Sequence, residues 1–283
     1  MSSHAKSVLV TGAARGIGRA VTERLAATGW QVYAGVRNEQ DGEHLTSELA
    51  GQITPLILDI TDEQQIAALE TALPDRLDAI VNNAGIAINA PVESIPLDQL
   101  RRQFDVNVFG TIAATQAVLP KIRAAHGRIV FISSVSGRIS TPWSGPYCGS
   151  KYALEALADA LRMEVKPWGI SVSLVEPTAT DTDMWGSILD DFDRTTASLT
   201  EEQQSLYASH GTGIRRAMKF MQKTTVPVEH VVKCVERALT AKRPRARYPV
   251  GIPSKVQLAA AAVTPTPVND FVVSRATGVP RKR

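Results

Sequence analysis

The sequence predicts an α/β protein: a doubly wound parallel sheet of about seven strands with helices on both faces. Three observations predict it. A β-branched run at residues 6–11 passes straight into a glycine-rich turn and then an amphipathic stretch. Strand-like and helix-like segments alternate along most of the chain. The strand ends carry glycine or polar residues, namely Gly12, Arg37, Asp59, Asn82 and Ser134. Alternating strands and helices require parallel strands, and right-handed crossovers make the winding double. Ligands bind such sheets at the carboxyl ends of the strands.

Residues 6–11 read as a buried strand. Gly12-Ala13-Ala14-Arg15-Gly16-Ile17-Gly18 follows and opens a helix to about residue 28. In that context glycine lets the backbone approach a pyrophosphate, and free N–H groups at the helix start bind the phosphates. The spacing is G-x-x-x-G-x-G rather than G-x-G-x-x-G, and a plain strand-to-helix turn is the rival reading. Residues 31–36 form the second strand and 38–49 a helix. Residues 53–58 form the third strand, ending in Asp59, and 62–73 a helix opened by Thr61. Residues 77–81 form the fourth strand, ending in Asn82-Asn83-Ala84-Gly85. Residues 97–125 read as one long helix interrupted near Gly110 and Pro120. Residues 128–132 form the fifth strand, ending in Ser133-Ser134, and 170–175 the sixth, ending in Glu176-Pro177-Thr178.

Residues 179–225 are less regular, with a helical portion at 201–222, and are expected to form a lid over the substrate. Trp185, Ile188, Leu189, Phe192, Tyr207, Met218 and Met221 offer it an apolar wall, or else pack it onto the body. Residues 139–144 are expected to line the pocket, with Trp143 as an apolar contact. A helix at 228–240 and a seventh strand at 247–250 follow. The tail from Pro253 holds one short apolar helix, 255–263; it packs on a partner, covers the pocket or meets a membrane surface. No linker separates two cores, so one domain over 1–283 is expected.

Composition excludes several classes. At 283 residues, 44% hydrophobic and 21% charged, the chain can bury a core without staples. A formal charge of +3 implies no nucleic-acid partner, and Arg281-Lys282-Arg283 reads as a solvated tail. Cys148 and Cys234 make no disulfide framework, and the five histidines are scattered. A reduced, cytoplasmic setting without a metal site is expected. No run approaches the roughly 20 apolar residues of a spanning helix, and no apolar signal core stands at the N-terminus.

Tyr147 and Lys151 lie four residues apart in a helical sequence reaching about residue 165, so both share one face. An ammonium favours the phenolate and lowers the phenol's pKa, which makes the pair a candidate general acid/base. In isolation the same spacing also describes a half-buried aromatic beside a solvated lysine.

TGAARGIG (11–18), Asp59, NNAG (82–85), Asn107, Ser134 and YCGSK (147–151) together resemble the short-chain dehydrogenase/reductase family, in its order and spacing over about the first 180 residues. YCGSKYALEAL and RARYPVG (245–251) resemble its hydroxysteroid and retinol dehydrogenase branch. The resemblance implies a Rossmann-type fold and hydride exchange between a nicotinamide cofactor and an alcohol or carbonyl. Ser134 would hold the substrate oxygen, Tyr147 would pass its proton, Lys151 would lower the tyrosine pKa and bind the nicotinamide ribose, and Asn107 would hold a water leading from Lys151 to solvent. Cofactor contacts are implied for Gly12, Arg15, Gly16, Ile17, Gly18, Arg37, Asp59, Asn83, Ala84, Gly85, Tyr147, Lys151, Pro177 and Thr182. Relatives have glycine where Thr178 stands, which bears on the Thr182 contact.

Val36 stands where NAD-preferring relatives carry Asp, and Arg37 follows it. With Arg15 this favours NADP(H) over NAD(H), since arginine grips a 2′-phosphate. Glu39 is close enough in sequence to pair with Arg37 instead. The substrate is expected to be a bulky apolar alcohol or carbonyl such as a steroid, retinoid or aliphatic ketone, and the assembly a homodimer or homotetramer. The rival functions are a non-catalytic dinucleotide-sensing or protein-binding module, a nucleotide-sugar epimerase or dehydratase, and a methyltransferase. The last leaves the Tyr–Lys pair unexplained.

Overall fold

In the computed structural model, which describes residues 5–183 and 187–280, the apolar runs pair as a parallel sheet. Its strands are β1 (Ser7–Val10), β2 (Gln31–Val36), β3 (Ile53–Ile57), β4 (Ala79–Asn82), β5 (Arg128–Ile132), β6 (Ser171–Glu176) and β7 (Arg247–Pro249). They lie in the order β3-β2-β1-β4-β5-β6-β7. Val8 pairs with Val32 on one side and Ala79 on the other. The order reverses between β1 and β4, and that reversal opens the ligand crevice at their carboxyl ends.

β1 and β4 are buried throughout, which is why they read as continuous apolar runs rather than alternating ones. Successive side chains serve opposite layers. Val8 and Val10 pack with Val21 and Leu25 of α1 (Gly16–Ala27) and with Val231 and Val235 of the helix Val228–Thr240. Leu9 faces the other layer with Leu69, Val118, Ile122 and Leu154. These last come from α3 (Glu63–Ala72), α5 (Thr111–Ala125) and α6 (Gly145–Glu164); α2 (Glu39–Glu48) and α4 (Leu97–Phe104) complete the first half.

Two local readings change. Asp62, not Thr61, caps α3: its carboxylate accepts from the Gln64 and Gln65 amides. The Thr61 hydroxyl instead donates to Asp59. Pro120 does not interrupt α5. Pro120 and Gln116 both face solvent, where water can satisfy the carbonyl that proline leaves without a donor. The break at Gly110 is real and takes the form of a π-helical turn, Asp105–Gly110. A Cβ on Gly110 would stand 2.5 Å from the Ile60 carbonyl oxygen, so glycine is what lets this turn reach the end of the third strand.

The covering segment holds α7 (Ile188–Ala197), a helix the sequence does not predict, and α8 (Glu201–Lys223), started by a Thr200–Gln203 capping box. α9 (Val228–Thr240) follows. The tail forms two helices, α10 (Gly251–Val263) and α11 (Thr266–Thr277), not one. Pro265 and Pro267 sit at the cap and in the first turn of α11, where proline's missing N–H costs nothing. Among the described residues no helix is long and apolar enough to cross a membrane, and no cluster of potential ligands could hold a metal ion.

Candidate active site

Three consecutive turns of α6 meet three consecutive residues at the end of β5. Ser134 stands beside the Tyr147 hydroxyl and acts to lower its pKa. Lys151 Nζ donates to the Ile132 carbonyl at 2.8 Å. The Ser133 hydroxyl donates to Glu155 Oε1 at 2.5 Å. Residues 147, 151 and 155 are spaced by four, so one face of the helix makes all three contacts. Ser134 is turned inward by its neighbours: its Oγ donates to the Pro177 carbonyl at 3.3 Å and accepts from the Ser136 amide at 3.1 Å.

Burial governs the charges here. It pushes the Tyr147 phenol up to about 12, against the lowering effect of Ser134. It pushes Lys151 down to about 8, against the nearby Glu155 charge. The expected lowering of the tyrosine by its lysine is therefore not the governing effect. Desolvation dominates, and the ammonium is turned to a carbonyl, 5.8 Å from the Tyr147 ring centre.

Asn107 lies in the π-helical turn and is 1% exposed. Its amide donates to the Ile86 carbonyl and the Ser150 hydroxyl and accepts from the Ile86 amide. It clamps α6 to the segment after β4 and makes no direct bond to Lys151. Single π turns recur at functional sites because they re-aim a side chain out of helical register.

The glycine turn is shaped for close approach. Gly12 and Gly16 have φ of +64° and +55°. A Cβ on Gly18 would stand 2.1 Å from the Gly12 carbonyl oxygen. Asn83 locks this turn: its side-chain amide donates to the Thr11 and Gly12 carbonyls, while the Asn83 and Ala84 amides donate to the Thr11 hydroxyl. Arg15, the α1 cap residue, makes no side-chain cap bond, so the first-turn N–H groups are left for an anion.

Gly12, Arg15, Gly16, Ile17, Arg37 and Asp59 line one cavity of about 1840 Å³. Asn83, Ala84, Gly85, Ser134, Tyr147, Lys151, Pro177 and Thr182 line the same cavity. Of the remaining expected site residues, Gly18 packs beneath the turn and Asn107 lies behind α6. Arg37 makes no ion pair with Glu39; its charge acts on Asp59. Burial would raise Asp59, but bonds from Thr61 and the charges of Arg37 and Arg102 hold its carboxyl below the usual range. Thr178 has no left-handed backbone, so threonine fits where relatives have glycine. Thr182 reaches the crevice, with its Cβ 3.5 Å from where a Cβ on Gly16 would stand. These residues fit a dinucleotide.

The family model described as short chain dehydrogenase matches residues 6–192. The chain belongs to the short-chain dehydrogenase family. It is accordingly an oxidoreductase of the CH–OH/C=O couple. The family's curated members include an NADPH-dependent 3-dehydrocapnine reductase from Ornithobacterium rhinotracheale, 32% identical over 89% of this chain and 90% of that protein. Retinol dehydrogenase 5 of Mus musculus is 34% identical over 94% of this chain and 87% of the relative. A short-chain dehydrogenase from Streptomyces avermitilis, 28% identical, superposes with a TM-score of 0.78 over 98% of this chain and all 100% of its own.

Within the family fold, the substrate side departs from expectation at Trp143. It does not line the cavity. It is buried with φ +71° and stacks on Phe192 and Tyr207 at ring distances of 5.0 and 6.0 Å, so it ties the loop before α6 to α7 and α8. Ile188, Met218 and Met221 do line the cavity, whereas Leu189, Phe192 and Tyr207 pack the segment onto the body. Trp185 lies outside the described residues.

Sequence reasoning missed two groups. Gln103, fully buried, holds the segment after β4 through bonds with Ile86 and Ile88. Glu155, Glu176 and Arg247 form a buried charge cluster behind Ser133. Glutamate four residues past Lys151 on one helix face was the available signal for the second.

Proposed function

We propose that the chain is an NADP(H)-dependent oxidoreductase that interconverts a secondary alcohol and a ketone, or an alcohol and an aldehyde, on an apolar substrate. Tyr147 is the general acid/base and hydride transfer is direct. The observation that carries this reading is the meeting of Ser134, Tyr147 and Lys151 in the cavity that also holds the glycine turn. When bound, the nicotinamide cofactor gives or takes the hydride. In reduction the Tyr147 hydroxyl hands its proton to the oxygen that gains charge. Ser134 donates a hydrogen bond to the same oxygen, and such donors stabilise the transition state more than the ground state. Lys151 keeps a positive charge beside the phenol and binds the nicotinamide ribose; Asn107 holds the water path behind it.

NADP(H) is favoured because Arg15 and Arg37 line the cavity near Asp59, without an acid in place of Val36 to repel a 2′-phosphate. A relative named for NADPH dependence agrees. Residues 1–283 are read as one domain, with 179–225 as the lid and the tail from 253 beside it, in the cytoplasm. Phe109, Tyr152 and Met163 are 63%, 42% and 64% exposed around the π turn and α6, which supports self-association there as a homodimer or homotetramer.

The test is a panel of carbonyls and alcohols followed at the reduced-nicotinamide absorbance with both cofactors. Turnover with a preference for NADP(H) is expected. Nicotinamide fluorescence on binding without turnover of any panel member would favour a dinucleotide-sensing module instead.

A further inference from the structure

We propose that the apolar part of the substrate is an extended aliphatic chain, lodged lengthwise between α8, α10 and α11. The proposal rests on reading Ser134 and Tyr147 as the carbonyl end of the same cavity. That cavity, about 1840 Å³, exceeds the roughly 300–1,000 Å³ of an ordinary ligand pocket, so space remains beside a dinucleotide.

The shape of that space follows from the lining. α8 and α11 touch where Gly213 meets Gly278: a Cβ on Gly213 would stand 2.6 Å from the Gly278 Cα and 2.5 Å from the Thr277 carbonyl oxygen. From this crossing one row of cavity-lining residues runs along α8 through Ile214, Met218 and Met221. Another runs back along α11 through Ala276, Val272 and Val268. Ala261 of α10 lies along the same space. Each row keeps a spacing of about four, one face of a helix, and at 1.5 Å per residue extends for about 10–12 Å. The groove follows these two helix faces and is pinched where two glycines touch. That suits a flexible chain better than fused rings.

The chemistry agrees. Among the described cavity-lining residues of α8, α10 and α11, the charged ones are Arg216 and Arg275, which flank the crossing. α11 buries none of its residues although its inner row is valine-rich, and Val272 remains 55% exposed. An alkyl chain laid along the groove would cover that row, and continuity with Ser134 and Tyr147 makes the substrate itself the occupant.

The experiment is a series of linear methyl ketones, from about six to about sixteen carbons, beside a steroid ketone. Turnover is read as kcat/KM, and equilibrium dialysis of the labelled longest ketone reads binding without turnover. Expected is a rise of about two- to fourfold per added methylene until the groove is filled, up to the fold-change that corresponds to about 0.8 kcal/mol per buried CH2. Ala261→Trp and, from another helix, Val272→Trp should each collapse the ratio of long-chain to short-chain kcat/KM and weaken dialysis binding, with nicotinamide-fluorescence titration showing a folded protein. A chain-length profile that is flat in the wild type, a ratio unchanged in both variants, or a steroid ketone preferred over every linear one overturns the proposal and leaves the oxidoreductase reading standing. Dialysis binding that both variants weaken, without turnover of any ketone, supports the groove and defeats the catalytic reading.

Discussion

Glu155 Oε1 accepts the Ser133 hydroxyl at 2.5 Å, which fixes the residue beside Ser134 from the helical turn beyond Lys151. Arg247 Nε, reaching in from β7, holds the other carboxylate oxygen at 3.0 Å. A misplacement of about 1 Å can cost on the order of 10²-fold in rate, so Glu155 acts as a positioning residue. Glu155→Leu is expected to lower kcat roughly 10- to 100-fold with little change in cofactor KM. Glu155→Gln keeps an acceptor for Ser133 and should recover most of the loss. Equal kcat in the two variants, with only melting temperatures lowered, would reduce Glu155 to a structural part.

Tyr147→Phe removes the proton but keeps the ring. Cofactor binding, read by nicotinamide fluorescence, should stay near native while kcat drops by about 10²–10⁴-fold, the usual worth of a general acid. Near-native turnover would refute the proton role.

Lys151 supplies a pH signature. Burial sets it at about 8 and Tyr147 at about 12, so near neutrality the lysine is charged and the phenol protonated, the state needed to reduce a carbonyl. Reductive kcat/KM should fall as pH rises through about 8 and the ammonium is lost. Residual activity of Lys151→Met should lack that limb. A wild-type profile flat through this pH would remove Lys151 from the rate.

Most of the fold was legible because β1 to β6 are short apolar runs closed by glycine or polar residues, and parallel order follows from alternation. The glycine turn, Ser134, Tyr147 and Lys151 could be picked out by their spacing, and the fold gathers them in one cavity. What escaped depends on distant contacts. The balance at Tyr147 depends on burial, which a spacing of four cannot reveal. Trp143 looked like a pocket residue until Phe192 and Tyr207 were seen to claim it. The second tail helix escaped because Pro265 and Pro267 suit a helix start only where α10 has already stopped. Glu176 looked like a strand end, and only the fold buries it beside Glu155.

Arg37 tests the cofactor. Charge-assisted bonds are worth about 1.5–3 kcal/mol, so Arg37→Asp should lower the NADP(H)/NAD(H) ratio of kcat/KM roughly 10- to 100-fold. An unchanged ratio would leave discrimination to Arg15 or elsewhere.

Glu176 carries a stability prediction whose sign can be fixed. It is fully buried, and neither carboxylate oxygen has a hydrogen bond. Arg247 Nε at 3.5 Å and Arg138 Nη1 at 3.8 Å offer only looser ion pairs. Burial first, then the Glu155 charge, raises its pKa to about 7. In the unfolded chain a glutamate titrates near about 4.3. Between those values the folded state binds more protons, so the favourable contribution is full below the unfolded value and is lost as pH rises to about 7. Glu176→Gln stays neutral at every pH. It should melt higher than the wild type above pH 7, by an amount that shrinks as pH falls toward the unfolded value. At about 1.36 kcal/mol per unit the rise caps the gain near 4 kcal/mol, a ceiling in which the attraction to Arg247 is already counted. Melting temperature against pH for both proteins decides it. A variant that melts lower at all pH values would mean that Arg247 and Arg138 hold Glu176 charged, and that the ion pairs outweigh the desolvation.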